Sequence, residues 1–243
     1  MIMLIILIKN GIIMNNIDHS STTSVNSCLT NHLNDENKTN QPTPKSQTLK
    51  IIKYKISLAY NIILNTFSKK NHPWFNSIID NKLTLGAIPL KNKGHLEEIS
   101  KHGVTAILTT LEDFEIQKKT FYSNPITGKD WEARKVDHKI IDTPDFKPVA
   151  LKKIEEGVEW LTKKINAGNH VYVHCKAGRG RSATIVIAYV LKHWEKHGIK
   201  QHSVEEAIAY VKARRPVINM NAQQTKALHH YAAYLQQSHA KLI

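Results

Sequence analysis

A chain of 243 residues with 41% hydrophobic residues is long enough for one well-cored domain plus an appendage. Its formal net charge of +14 points to anionic partners (nucleic acid, an acidic membrane or a phosphorylated substrate), and its 14 histidines would add to that charge at mildly acidic pH. The only cysteines, Cys28 and Cys175, exclude a disulfide-rich scaffold and fit a reducing compartment.

Met1 to Ile13 is apolar but interrupted by Lys9, and it falls short of the roughly 20 residues that span a bilayer. It lacks the basic start and small-residue cleavage site of a secretory signal, and no arginine precedes Arg134, which argues against a transit peptide. The expected location is therefore cytoplasmic or peripheral at a membrane. Met14 offers an alternative start, so the place of residues 1–13 in the mature protein stays open. Residues 1–48 balance Lys9, Lys38 and Lys45 against Asp18, Asp35 and Glu36 and are rich in Asn, Ser and Thr, which predicts a disordered tail. The positive excess lies beyond it.

Leu49 to Phe67 has apolar residues near helical spacing, with Lys50, Lys53 and Lys55 among them and Lys69-Lys70 after. Such a basic amphipathic helix can lie on an anionic membrane or pack as a core helix. It opens a helix and lead-in segment over 49–80, followed by the main domain over 81–243. Within that domain, Leu83 to Ile88 reads as a strand, Gly94 to His102 as a helix closed by Gly103, and Val104 to Thr110 as a buried strand. Phe114 to Ile141 predicts a hairpin turning near Asn124-Pro125 or Thr127-Gly128. Val149 to Ala167 predicts a helix ended by Gly168, and Ser203-Val204-Glu205-Glu206 a capping box opening a helix that stops before Pro216. Asn221 to Gln237 closes the chain as a helix. Alternating strands and helices imply an α/β domain with a largely parallel central sheet flanked by helices.

The chemistry concentrates in His174-Cys175-Lys176-Ala177-Gly178-Arg179-Gly180-Arg181-Ser182. A strand, Val171-Tyr172-Val173, leads into it, and a long apolar helix beginning at Ala183 and ending at Gly198 leads out. A tight turn there aims backbone N–H groups inward beside a helix N-terminus, which makes an anion cradle of residues 176–181. The same field favours a thiolate on Cys175, and Arg181 can grip two phosphate oxygens. A thiolate beneath a bound phosphate is placed for attack on phosphorus, and Ser182 can hydrogen-bond the sulfur as it leaves. A buried cysteine is ordinarily a small hydrophobe, but two of the chain's five arginines, Arg179 and Arg181, sit in this loop. No Gly-Lys-Ser/Thr follows at nucleotide-loop spacing, and Gly178-x-Gly180 alone is too weak for a dinucleotide site.

His-Cys, five residues, Arg and Ser resembles the signature of the cysteine-dependent phosphatase superfamily, with all three diagnostic positions matched. The resemblance extends over roughly residues 49–237. Trp74 to Pro89, Val171 to Tyr189, Glu205-Glu206-Ala207 and Gln224 to Leu228 are similar to the mitochondrial-type phosphatases that dephosphorylate phosphatidylglycerophosphate. Cys-Lys-Ala-Gly-basic-Gly-Arg resembles the tensin-type phosphoinositide phosphatases, and Lys176 and Arg179 suit a multiply phosphorylated substrate or an anionic membrane. The resemblance implies a dual-specificity-like fold and a phosphocysteine mechanism without metal or cofactor. It also implies an aspartate acid upstream of the cysteine: Asp145 in Asp142-Thr143-Pro144-Asp145-Phe146, with Asp142 as competitor. His174 and Gln224 would support the site, Gln224 by orienting water unless it is a surface residue. The expected substrate is a phosphorylated lipid, with a phosphoprotein as runner-up and a silent phospholipid-binding module as the non-enzyme alternative. No nucleic-acid partner is expected. Residues 49–70 are the expected contact with an anionic membrane. His193 and His197 share a helix face but lack the zinc-protease pattern.

Overall fold

The structure, a computed structural model, describes residues 44–117, 119–200 and 203–240. Most of the expected disordered tail, Cys28 included, lies outside them. The chain divides into two compact units after Tyr60, within helix α1 (Pro44–Phe67). The helix begins at Pro44 rather than Leu49, so the tail expected to be disordered is helical over its last residues; proline at a first helical turn is pre-set in φ. In the first unit Tyr54 and Leu58 are buried and Ile52 is exposed.

The second unit is built on five strands: β1 (Phe75–Ile79), β2 (Leu83–Gly86), β3 (Val104–Thr109), β4 (Asp137–Ile140) and β5 (His170–His174), in the order β1-β2-β5-β3-β4. Only β1 runs antiparallel; β2, β5, β3 and β4 are mutually parallel. β5 is central and every residue of it is buried, as a parallel strand covered on both faces requires. Its side chains alternate: Val171 and Val173 join one core, Tyr172 the other. On the first face lie α5 (Leu151–Asn166), α6 (Arg181–Lys192), α8 (Val204–Arg214) and α9 (Ala222–Ala240). On the other lie α2 (His95–Lys101) and α4 (Gly128–Glu132), contributing Ile99 and Trp131. A register shift in β3 between Val104 and Ala106 puts Val104 and Ile107 on one face, Ala106 and Leu108 on the other. α6 is buried from Arg181 through Leu191, since it packs between the sheet and α5, α8 and α9.

Further expectations are corrected. The hairpin over 114–141 is absent: that stretch holds α3 (Asp113–Gln117), α4 and β4, which pairs parallel with β3. Strand β1 was not foreseen; it is an edge strand whose partly exposed residues lack a clean alternation. The helix after Cys175 breaks at His193, and a separate turn, α7 (Trp194–His197), is stopped by Gly198 at φ 63°. Ser203 caps α8 through Glu206 N–H as expected, but the Glu206 carboxylate accepts from Lys200 N instead of closing the box. Among the described residues no helix is long and apolar enough to cross a membrane.

Candidate active site

Because β2, β3, β4 and β5 are parallel, their C-terminal ends open on one edge of the sheet, where ligands of such sheets bind. The Cys175–Gly180 loop leaves β5 there. Its backbone carbonyls are engaged one after another away from the cradle. Lys176 O accepts from Ile88 N (3.3 Å), Arg179 O from Asn219 N (3.0 Å) and Gly180 O from Thr184 N (2.8 Å). Gly178 O and Ala177 O accept from Arg215 at 2.9 and 3.2 Å. With the carbonyls turned outward, the N–H groups line the inside, and Gly178 N already donates to Cys175 Sγ at 3.3 Å. Gly178 has φ 66°, and a Cβ there would lie 2.3 Å from Gly86 O, so only glycine fits.

Burial raises the Cys175 pKa, but the Arg181 charge and hydrogen bonds from the Ser182 hydroxyl and the Ser182 and Ala177 backbone outweigh it, and the net shift is downward. The Ser182 hydroxyl donates to the sulfur at 3.2 Å. Burial lowers the His174 pKa to about 3, so its imidazole is neutral. Its Nδ1 faces Cys175 O at 3.3 Å and its Nε2 faces the Thr109 hydroxyl at 2.8 Å, an arrangement that puts the proton on Nδ1 and makes Nε2 the acceptor. His174 thus braces the strand exit and supplies no charge.

Arg181 is 2% exposed and grips Glu115 through both terminal nitrogens, at 2.6 and 3.0 Å. Its Nη1 also donates to Thr143 O (2.9 Å), and its Nη2 lies 3.0 Å from Asp145 Oδ1. Asp145 pairs with Lys176 as well, whose ammonium stands 5.1 Å from the Phe146 ring centroid. Burial raises the Asp145 pKa, but Lys176 and Arg181 outweigh it and hold the carboxyl below its ordinary range. The turn presenting Asp145 carries Phe146 at φ 61°, a conformation that costs a bulky residue about 1–2 kcal/mol. Asp142 is not brought to this cluster: its side chain is 66% exposed and faces Lys153 on α5. Gln224, at the start of α9, is buried, and a Cβ on Gly180 would meet its amide at 2.7 Å, so it borders the loop rather than the surface. Arg179 is half-buried and lines, with His72, Ala177 and Arg215, a small pocket that does not include Cys175 or Asp145. His193 Nε2 is hydrogen-bonded to the Thr162 hydroxyl at 2.9 Å.

Two residues central to this geometry were missed in the sequence. Glu115 is fully buried and fixes the plane of Arg181; the signal was an acidic run, Glu112-Asp113, just after a buried strand. Arg215 is also buried, and besides the two loop carbonyls it binds Asn76 Oδ1 (2.7 Å) and Pro73 O (3.3 Å). Burial lowers its pKa to about 10, so it stays charged at neutrality. An arginine in a chain so poor in arginine was its one mark. Arg215→Leu is expected to lower the unfolding free energy by about 3 kcal/mol, since it strands several buried carbonyls. Urea denaturation checks this, and a raised KM for an aryl phosphate should accompany it.

A buried thiol in a cradle of N–H groups, under a guanidinium held by a carboxylate, on the carboxyl edge of a parallel sheet, defines a phosphatase of the protein-tyrosine-phosphatase superfamily. Residues 88–233 match the dual specificity phosphatase catalytic domain, and the chain belongs to that family. It is 34% identical over 156 residues to the mouse phosphatidylglycerophosphatase and protein-tyrosine phosphatase 1, covering 64% of this chain and 74% of that one. It is 31% identical over 177 residues to the Arabidopsis thaliana phosphatidylglycerophosphate phosphatase PTPMT1, covering 72% of this chain but only 47% of that relative's length. The crystal structure of PTPMT1 in complex with PI(5)P superposes with a TM-score of 0.58 at 31% identity, covering 68% of this chain and 99% of that one.

Proposed function

We propose that this chain is a cysteine-dependent phosphomonoesterase acting on a phosphorylated lipid, phosphatidylglycerophosphate or a phosphoinositide, through a phosphocysteine intermediate. The observation that carries the reading is Arg181, clamped by Glu115 on one side while its other face holds the Asp145 carboxylate next to the Cys175 loop. An arriving phosphate dianion takes that face of Arg181 and the loop N–H groups. Asp145 then gives up Arg181 to the phosphate and gains an anionic neighbour, so its pKa rises and it can hold a proton. Cys175 Sγ attacks phosphorus, the ester P–O bond breaks, and Asp145 protonates the departing alcohol. In the second step Asp145 takes a proton from water positioned with help from Gln224; the water oxygen attacks phosphorus, and the thiolate leaves, stabilised by Ser182 and Arg181. His174 keeps the strand exit rigid.

The lipid substrate is supported by the names of the mouse and Arabidopsis relatives, by the PI(5)P complex, and by the cations Lys176 and Arg179 at the loop. The lysines of residues 49–70 would add attraction to an anionic bilayer, about 1 kcal/mol for each one near the surface. The mouse relative's name also includes protein-tyrosine phosphatase, so a phosphoprotein is the second reading. Phosphate release from phosphatidylglycerophosphate, individual phosphoinositides and phosphopeptides, each in soluble and vesicle form, separates the two. Preference for phosphopeptides overturns the lipid reading, and no release from any of them favours a silent binding module.

Asp145→Asn is expected to cost about 10²–10⁴-fold on an alkyl phosphate and far less on an activated aryl phosphate, whose leaving group needs no proton. Wild-type kcat/KM should peak on the acid side of neutrality, because the pKa values of both Cys175 and Asp145 are lowered. The reacting form pairs a thiolate with a protonated Asp145, so the wild-type profile falls again as pH rises. The Asn variant should lack that alkaline descent. Equal losses on both substrates would remove Asp145 from the acid role.

A further inference from the structure

We infer that the turn Thr120–Ser123 is a membrane-insertion tip that seats the phosphate cradle on an anionic bilayer, with Phe121 as the inserted side chain. Phe121 is 99% exposed. A lone exposed phenylalanine on a loose loop would be ordinary, but this turn is braced. Thr120 N donates to Ser123 O (2.9 Å), Ser123 N donates to Thr120 O (3.3 Å), and the two hydroxyls meet at 2.7 Å. Asn92 clasps the turn from outside, its Nδ2 donating to Tyr122 O and its Oδ1 accepting from Asn124 N, both at 3.1 Å. Only two residues, Phe121 and Tyr122, lie between the braced positions, and their rings meet edge to face at 5.0 Å. The backbone therefore holds the Phe121 ring out in water.

Its position ties the tip to the site. The turn belongs to the connection that leaves β3 at the sheet edge where the Cys175 loop begins, and that same connection supplies Glu115 to Arg181. Ile126 N donates to Pro89 O, and the neighbouring Ile88 N donates to Lys176 O, so two backbone bonds link the tip's base to the cradle. The Asp145 turn leaves the same edge from β4 and carries a second exposed aromatic, Phe146, at 51% exposure. Exposed lysines accompany both connections, Lys119 before the tip and Lys147 after Phe146, and Lys93 follows Asn92. Projecting aromatics among lysines, on a chain of net charge +14, suit acyl chains beneath anionic headgroups; a protein partner would call for a contiguous apolar patch. The inference rests on the proposed lipid substrate, whose phosphate stands at the bilayer surface where a cradle seated by Phe121 can reach it.

The test uses the full chain and vesicles of phosphatidylcholine with and without phosphatidylglycerol, neither of which bears a phosphomonoester. Phe121→Ser is expected to weaken sedimentation with the anionic vesicles about tenfold or more, the equivalent of one buried phenylalanine, while turnover of a soluble aryl phosphate stays at the wild-type level. Phe121→Leu should keep most of the binding, and brominated acyl chains should quench Phe121→Trp more than wild type. Equal vesicle binding by wild type and Phe121→Ser would overturn the inference. So would loss of soluble turnover alongside binding, which would make the turn a structural part of the domain. Hydrolysis of short-chain, monomeric phosphatidylglycerophosphate is measured in parallel. Absence of hydrolysis of both this lipid and short-chain, monomeric phosphoinositides would sink the lipid-substrate reading whatever the vesicles show, so the two failures are distinguishable.

Discussion

Cys175→Ser is expected to abolish turnover of every phosphomonoester while leaving the fold intact. The substitution exchanges sulfur for oxygen at a buried position whose neighbours, Ser182 Oγ and Gly178 N, can donate to either atom. The lowered pKa of Cys175 makes its thiol ionise more readily than that of an ordinary cysteine, whereas a serine hydroxyl needs a general base, and the neutral His174 is committed to Cys175 O and Thr109. The expected loss is of the order of 10⁴-fold or more in kcat, because no other group on the cradle can form the covalent bond. Vanadate, a trigonal-bipyramidal mimic of the transferring phosphoryl group, should still bind the variant, since Arg181 and the loop N–H groups remain. A residual rate above a few per cent of wild type in contamination-free protein would end the phosphocysteine assignment.

Arg181→Lys should be nearly as severe. The guanidinium makes two contacts to Glu115 and offers its remaining donors toward Thr143 and Asp145; an ammonium cannot hold Glu115 with two prongs and still face the phosphate. A loss of about 10³-fold in kcat/KM is expected, the scale of removing transition-state donors from a water-poor site. Vanadate affinity should fall with it, which separates this variant from Cys175→Ser. Glu115→Gln keeps a hydrogen-bonding plane but drops the charge, and it should fall between wild type and Arg181→Lys. If Glu115→Gln matched wild type in both rate and vanadate binding, the carboxylate would be a packing element and not the support of Arg181.

The helices over 95–101, 151–166, 204–214 and 222–240 were legible because apolar spacing and glycine or serine ends are local signals. β4 was not. Three of its four residues, Asp137, His138 and Lys139, are polar and none of the four is buried, and so short a stretch reads alike whether its partner is antiparallel and adjacent or parallel and remote. The hairpin expectation followed the nearer partner. Tertiary pairing with β3 chose the other.

For the site, the sequence by itself determined the anion cradle: residues 174–182 are contiguous, and a strand, a glycine-relieved turn and a helix N-terminus build it from neighbouring backbone. Cys175, Arg181 and Ser182 take their relation to one another from that short stretch. Only the tertiary structure decided what surrounds it. Glu115 lies 66 residues before Arg181, and Arg215 lies 37 residues after Gly178, so no local period ties either to the loop. The sequence offered both Asp142 and Asp145; the turn at Phe146 carries Asp145 to Arg181 and leaves Asp142 in solvent beside Lys153. Groups fixed by backbone proximity can be read from order along the chain, whereas charges that meet across the fold are set by sheet register and packing.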